Sequence, residues 1–233
     1  MIADATASAD DATAFDICRW MDPLASAAFD AAVRLRSYRA GQVIYRQGEP
    51  GNEMYRIVSG SVRLSVGSSD GREVVFVIFR DGACFGDSSM VDGGVRPQTA
   101  EAIGDTSVQM LDRAGFEALR RDHARFGDAM MRLLAAQMRA ISEQFVDISL
   151  NDLATRIATR ILRDAQAVDV QGDGEMRLAL RLPQSELASM VGASRQSVNK
   201  TLQRLQRDGL IVIDYNVIQV RDAEGLRRLL ETR

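Results

Sequence analysis

The chain has 233 residues, room for one large or two modest domains, and its 29 Lys and Arg against 32 Asp and Glu leave a net charge of −3, which excludes a polycation that coats nucleic acid. Two cysteines, Cys18 and Cys84, exclude a disulfide framework and point to a reducing compartment. The longest apolar run, Val74–Phe79, has strand length, and the Ala- and Asp-rich start lacks the basic opening of a signal peptide, so a cytoplasmic protein without a membrane partner is expected. Residues 1–15 read as a polar, mobile lead-in. From Asp16 to Leu35 the apolar positions Ile17, Trp20, Met21, Leu24, Phe29 and Val33 suit short helices packed on something larger. Short apolar runs then alternate with glycine: Gln42–Tyr45, Glu53–Val58, Ser61–Val66, Arg72–Phe79 and Ser107–Leu111, broken at Gly41, Gly48, Gly60, Asp70-Gly71, Gly82, Gly86 and Gly93-Gly94. That spacing predicts a small antiparallel barrel or roll.

From about Phe126 the pattern is a long helix. Met131, Leu134, Met138, Ile141, Phe145 and Ile148 recur at alternating steps of three and four, an a/d seam that predicts a parallel two-helix coil across a homodimer. The competing reading packs this helix on its own barrel. The seam stops at Leu150-Asn151-Asp152, where Asp152 suits an N-cap for a new helix, Leu153–Ala165. Val168–Arg177 reads as a loop or hairpin.

Leu182–Leu202 reads as two short helices joined by a tight turn. Pro183 suits a first helical position, Ala188 a close helix crossing, Gly192 a positive φ and Ser194 an N-cap. Leu187, Val191, Val198, Leu202 and Leu205 form one apolar face, while Arg195, Gln196, Asn199 and Lys200 offer long polar donors on the other. Leu210–Ile213, a turn at Asp214-Tyr215-Asn216, and Val217–Val220 read as a hairpin behind it. This is the order of a winged helix-turn-helix; its competitor is a surface helical hairpin with solvated charges. Basic charge is local here, with Arg181, Arg195, Lys200, Arg204 and Arg207 against Glu186, which suits salt-sensitive docking on double-stranded DNA.

Roll, long helix and winged helix-turn-helix in this order resemble the Crp–Fnr (cyclic-AMP receptor protein and fumarate-nitrate regulator) family of bacterial transcription factors. The resemblance rests on Ala40–Glu49, Tyr55–Val62, Gly82–Asp87, Asp92–Arg96 and Ser194–Lys200. It implies an α+β architecture: a cyclic-nucleotide-binding-type β-roll with flanking helices over 16–125, a dimerisation helix over 126–150, and a winged DNA-binding domain over 151–233. It also implies RNA polymerase as a partner. No metal cluster or activated nucleophile is apparent, which points away from an enzyme.

The family's phosphate cassette pairs a Gly-Glu with a later Arg-Ser/Thr-Ala. Gly86-Asp87 keeps a carboxylate one methylene shorter, and Arg96 matches the arginine. Pro97 then supplies neither hydroxyl nor backbone N–H, and Gln98 replaces a small residue ahead of Thr99. Members that bind cyclic AMP place Thr-Ser on the long helix; here stand Ile141-Ser142. Gly86, Asp87, Arg96, Gln98, Thr99 and Ser142 are therefore candidate effector residues. The readings left open are cyclic AMP, cyclic GMP or another small anion, and a filled roll that needs no effector, with Asp87 and Arg96 as a structural ion pair. Two cysteines cannot ligate an iron–sulfur cluster, and His123 reads as a solvated or packed side chain ahead of the long helix, so neither that cluster nor haem is expected. Cys84 is expected to be a buried small side chain.

For DNA, Arg195 can bond guanine O6 and N7, Gln196 adenine N6 and N7, and Lys200 guanine or phosphate. Ser194, Ser197 and Thr201 are candidate phosphate contacts. A half-site departing from TGTGA at the base facing Gln196, repeated as a pseudo-palindrome, is expected.

Overall fold

The computed structural model describes residues 14–67, 73–169, 176–181, 184–214 and 217–231. Contacts divide the chain into two units, Met1–Glu143 and Gln144–Arg233. In the first, a 3₁₀ turn (Ile17–Trp20) precedes α1 (Pro23–Ala32), which starts with Asp22 accepting from the Ala25 N–H and Pro23 in the first turn. The described strands follow as β1 (Arg34–Tyr38), β2 (Val43–Tyr45), β3 (Glu53–Ser59), β4 (Val62–Gly67), β5 (Glu73–Phe79) and β6 (Cys84–Phe85). After α2 (Asp87–Asp92) come β7 (Thr99–Ala102) and β8 (Thr106–Asp112). They form two antiparallel four-stranded sheets, ordered β1-β8-β3-β6 and β2-β7-β4-β5. Inward residues of both sheets, including Met54, Ile57, Val62, Leu64, Val108 and Leu111, share one core, so the structure is a roll.

The packed chain begins earlier than the sequence suggests. Ala14 and Phe15 sit in the roll core instead of the lead-in, because the Phe15 ring lies 5.3 Å from that of Phe79 and its carbonyl accepts from the Cys84 N–H. The remainder of the lead-in lies outside the described residues. The helical stretch stops at Ala32, and Leu35 belongs to β1, registered against Gln109 of β8.

Two helices close the unit: α3 (Arg113–Asp122) and α4 (Ala124–Leu150), which runs on past Glu143. Phe126, Ala129, Met130, Leu133 and Ala136 of α4 are buried in the roll core. These are not the seam residues. Met138 and Phe145 are each 70% exposed, and Met131, Ile141 and Ile148 are also exposed. The helix thus has two apolar faces, one covered by its own roll and one uncovered in the protomer.

In the second unit Asp152 accepts from the Thr155 N–H and starts α5 (Leu153–Asp164). A hairpin of β9 (Gln166–Asp169) and β10 (Met176–Arg181) leads to α6 (Gln184–Met190) and α7 (Arg195–Arg207). Then come β11 (Ile211–Asp214), β12 (Val217–Val220) and α8 (Ala223–Glu231), with the strands ordered β11-β12-β10-β9. Ile157, Ile161, Leu187, Val191, Val198, Leu202, Ile211 and Ile218 form its core. Gly192 turns between α6 and α7 at φ +63°, and a Cβ there would come within 2.9 Å of the Ile148 side chain. Pro183, the hairpin tip at 215–216 and the side chains of Arg181 and Glu186 lie outside what is described.

Candidate functional site

Two sites take shape. The first is the cassette in the roll. The chain leaves β6 through Gly86 at φ +75°, enters α2, and leaves through Gly93, also left-handed. Arg96, 1% exposed, reaches back across this loop. Its Nη1 donates to the Gly86 carbonyl at 2.8 Å, and its Nη2 donates to the Glu53 carbonyl at 2.6 Å and lies 3.4 Å from the Glu53 carboxylate. The guanidinium stands 4.2 Å from the centre of the Tyr45 ring, a cation–π contact. A Cβ on Gly86 would come within 2.7 Å of Arg96 Nη1, so this position requires glycine for space as well as for φ. The Arg96 backbone is also engaged: its N–H donates to Glu49 and its carbonyl accepts from Gly48.

Asp87 opens α2 and is 3% exposed. Its Oδ1 accepts from the Gln137 amide of α4 at 3.3 Å. Burial pushes its carboxyl above the ordinary aspartate range, against smaller opposing effects from its own backbone N–H, Gln137 and Arg96. Asp87 Oδ2 and Arg96 Nε are buried without a hydrogen-bond partner. Of the readings left open, the one with Asp87 and Arg96 as an ion pair differs from the structure, in which Arg96 pairs with Glu53. Around them Tyr45, Tyr55 and Phe85 stack at centroid distances of 5.0 to 6.1 Å, and burial raises both phenols. Arg113 of α3 ties down the far end of α2, donating to the carbonyls of Met90, Ser89 and Gly51.

The structure therefore brings together Gly86, Asp87 and Arg96. Thr99 Oγ1 accepts from the Gln47 N–H, and Gln98 is half-buried. Ser142 is exposed on α4 with its hydroxyl donating to the Met138 carbonyl. Sequence reasoning missed Tyr45, Glu53 and Gln137. Each comes from an element remote in the chain; Tyr45 falls within the Ala40–Glu49 stretch without being marked as a site residue, and no local motif marks Glu53 or Gln137. Cys84 is fully buried with its thiol well above the usual range, and Cys18 is pushed up to about 12, both mainly by burial. Neither is a ready thiolate.

The second site is the outer face of α7. Ser194 Oγ accepts from the Ser197 N–H at 3.1 Å and lies 2.8 Å from Ser197 Oγ, so it caps the helix. Arg195, Gln196, Ser197 and Lys200 are exposed; Thr201 and Asn199 are half-buried, and Asn199 Oδ1 is buried without a partner. Gln203 and Arg207, also exposed, extend the Gln196–Lys200 stripe along the helix; Arg207 belongs to the basic patch noted in the sequence, whereas sequence reasoning overlooked Gln203. Gln206 Oε1 accepts from the Ile213 N–H and fastens α7 to the hairpin strand β11. The result is a rigidly mounted helix whose amide, guanidinium and ammonium ends all face water, chemistry suited to base edges and phosphates.

Residues 35–123 match the cyclic nucleotide-binding domain family, and residues 132–229 match the Crp-like helix-turn-helix domain family. A CRP-like cAMP-activated global transcriptional regulator of Mycobacterium tuberculosis is 30% identical over 212 residues, 91% of this chain and 95% of that protein. The cyclic AMP receptor protein of Thermus thermophilus is 29% identical over 194 residues, covering 83% of this chain and 87% of that protein. Among solved structures, a CRP/FNR-family transcriptional regulator, also from Thermus thermophilus, superposes with a TM-score of 0.67 at 28% identity, over 86% of this chain and all of that one.

Proposed function

The chain belongs to the Crp–Fnr family of DNA-binding transcription regulators, and from that premise we propose that it works as a homodimer on a pseudo-palindromic operator. The observation that carries this is the uncovered seam of α4: Met131, Met138, Ile141, Phe145 and Ile148 form an apolar stripe that a second copy would bury. Arg195, Gln196 and Lys200 read base edges in the major groove, and Ser197, Gln203 and Arg207 steady the helix on phosphates. The two half-sites lie about one helical turn apart, roughly 34–36 Å. The regulator acts in the cytoplasm, with RNA polymerase as its protein partner.

We further propose that the operator is bound without a cyclic nucleotide. Arg96, the expected phosphate ligand, is taken up by Gly86, Glu53 and Tyr45, and Pro97 offers no donor beside it. A second reading, a small effector in this cassette, is favoured by the buried, unpaired Asp87 Oδ2 and Arg96 Nε. Calorimetric titration with cyclic AMP and cyclic GMP, followed by binding to a selected operator with and without each, tests both. Effector-free operator binding and no heat support the first reading. Saturable heat with a gain in operator affinity replaces it with the second. Failure to select any operator sinks the DNA assignment.

A further inference from the structure

We propose that the partner's Met131 seats in a cavity between α2, α3 and α4, so that a second copy of the chain touches the helix that carries Asp87. The inference rests on the homodimer reading above. The cavity has a volume of about 150 Å3. Gly127, Met130, Met131 and Leu134 of α4 line it, with Val91 of α2 and Phe116 and Arg120 of α3 as further walls.

Those four α4 residues have the spacing of a coiled-coil hole. The steps along the seam put Met131, Met138 and Phe145 at a and Leu134, Ile141 and Ile148 at d. Carried back one heptad, the register puts Gly127 at d and Met130 at g. In a parallel pair, a knob from an a position enters a hole bounded by the preceding d and g, the facing a and the following d. For the partner's Met131 that hole is Gly127, Met130, Met131 and Leu134, the set that lines the cavity.

Glycine at this d position makes the hole deep. A Cβ built on Gly127 meets nothing within 4 Å, although glycine is a poor residue inside a helix. A cavity of this volume can take a benzene ring, and the unbranched methionine side chain is of similar volume and bends to fit. The walls are preformed: Phe116 packs edge-on against the fully buried Phe126 at 5.5 Å, and Met130 is buried. The rim is apolar and uncovered, with Val91 47% and Met131 64% exposed, while Arg120 is occupied by Glu117 at 2.8 Å. Val91 lies one turn along α2 from Asp87, whose carboxylate is bonded to Gln137. The seat thus joins the cassette helix to the dimer interface.

Cross-linking tests the seat. Two differently tagged chains, Val91→Cys and Met131→Cys, are made in a Cys18→Ser background, Cys84 being fully buried. They are mixed and treated with a short bismaleimide. Links between the two tags are expected, together with links between Met131→Cys chains. Self-linking of Met131→Cys without any link to Val91→Cys overturns the seat and leaves the coil standing. Absence of both, with a monomer in sedimentation, removes the homodimer reading and the seat with it. Met131→Ala, which removes the knob at a position exposed in the protomer, is expected to weaken dimerisation at least about tenfold. An unchanged dimerisation constant overturns the proposal.

Discussion

Arg96 and Arg195 carry the same guanidinium group, one near the centre of the first unit and the other on the surface of the second. Arg96 is enclosed by two carbonyls, a carboxylate and a tyrosine ring, all from its own unit. Arg195 opens a helix whose first turn is already satisfied by Ser194, which leaves its five donors facing water. The contrast teaches where recognition can reside. A buried cation whose partners are internal shapes the fold, whereas an exposed cation on a braced helix is available to a ligand.

The seam should give the largest effect, because in the proposed homodimer it presents both regions in duplicate. Leu134→Asp combined with Ile141→Asp is expected to abolish the dimer and lower operator affinity by more than about 100-fold, since one helix then meets one half-site without avidity. Sedimentation velocity and fluorescence anisotropy read the two effects; a persistent dimer would relocate the interface. Arg96→Met should cost about 3–5 kcal/mol of stability in urea, because it strips partners from buried carbonyls and the Glu53 carboxylate. The folded fraction should bind the operator as the parent does. Arg195→Ala should invert that pattern. Stability should move by no more than about 0.5 kcal/mol. Operator binding should lose about 1–3 kcal/mol, with discrimination relaxed at one base pair in a mutated-operator panel.

The smallest effect is a pH slope. Burial raises the Asp87 carboxyl above its unfolded-chain value of 3.8, so the native state holds that proton more tightly. The stabilisation is fully present below the unfolded value and is lost as pH rises through the native one. Asp87→Asn should remove this slope, and its urea midpoint should gain on the parent as pH rises above the unfolded-chain value of 3.8. Parallel curves would mean that Asp87 titrates alike in both states.

Much of this arrangement is written locally. Gly192 turns because it lacks a Cβ, Ser194 caps through its hydroxyl, and the strands punctuated by glycine fall near their expected places. What escaped the sequence lacked a local signal. Strand β6 spans Cys84–Phe85, too short for alternation, and β1 exposes Arg34, Leu35, Arg36 and Ser37 alike. Helix α2 starts from Gly86, which has no side chain to cap it. The Crp–Fnr resemblance marked Arg96, but its pairing with Glu53 spans 43 residues and that of Asp87 with Gln137 spans 50. Such contacts are settled by the closing of the roll. The separation of the two apolar faces of α4 likewise needed the roll core in place, because Met130 and Met131 are adjacent in the chain and only Met130 is buried.

The division between the units falls between Glu143 and Gln144, inside α4 and away from any loop. An uninterrupted helix cannot absorb an inserted residue as slack. One extra residue at that point would rotate Phe145 and Ile148 by about 100° out of line with Met131 and Met138, splitting the stripe in two. Seven extra residues would bring them back to within about 20°. Under the proposed homodimer, lengthening of this shaft is therefore constrained to whole heptads, much as a keyed joint admits only certain positions.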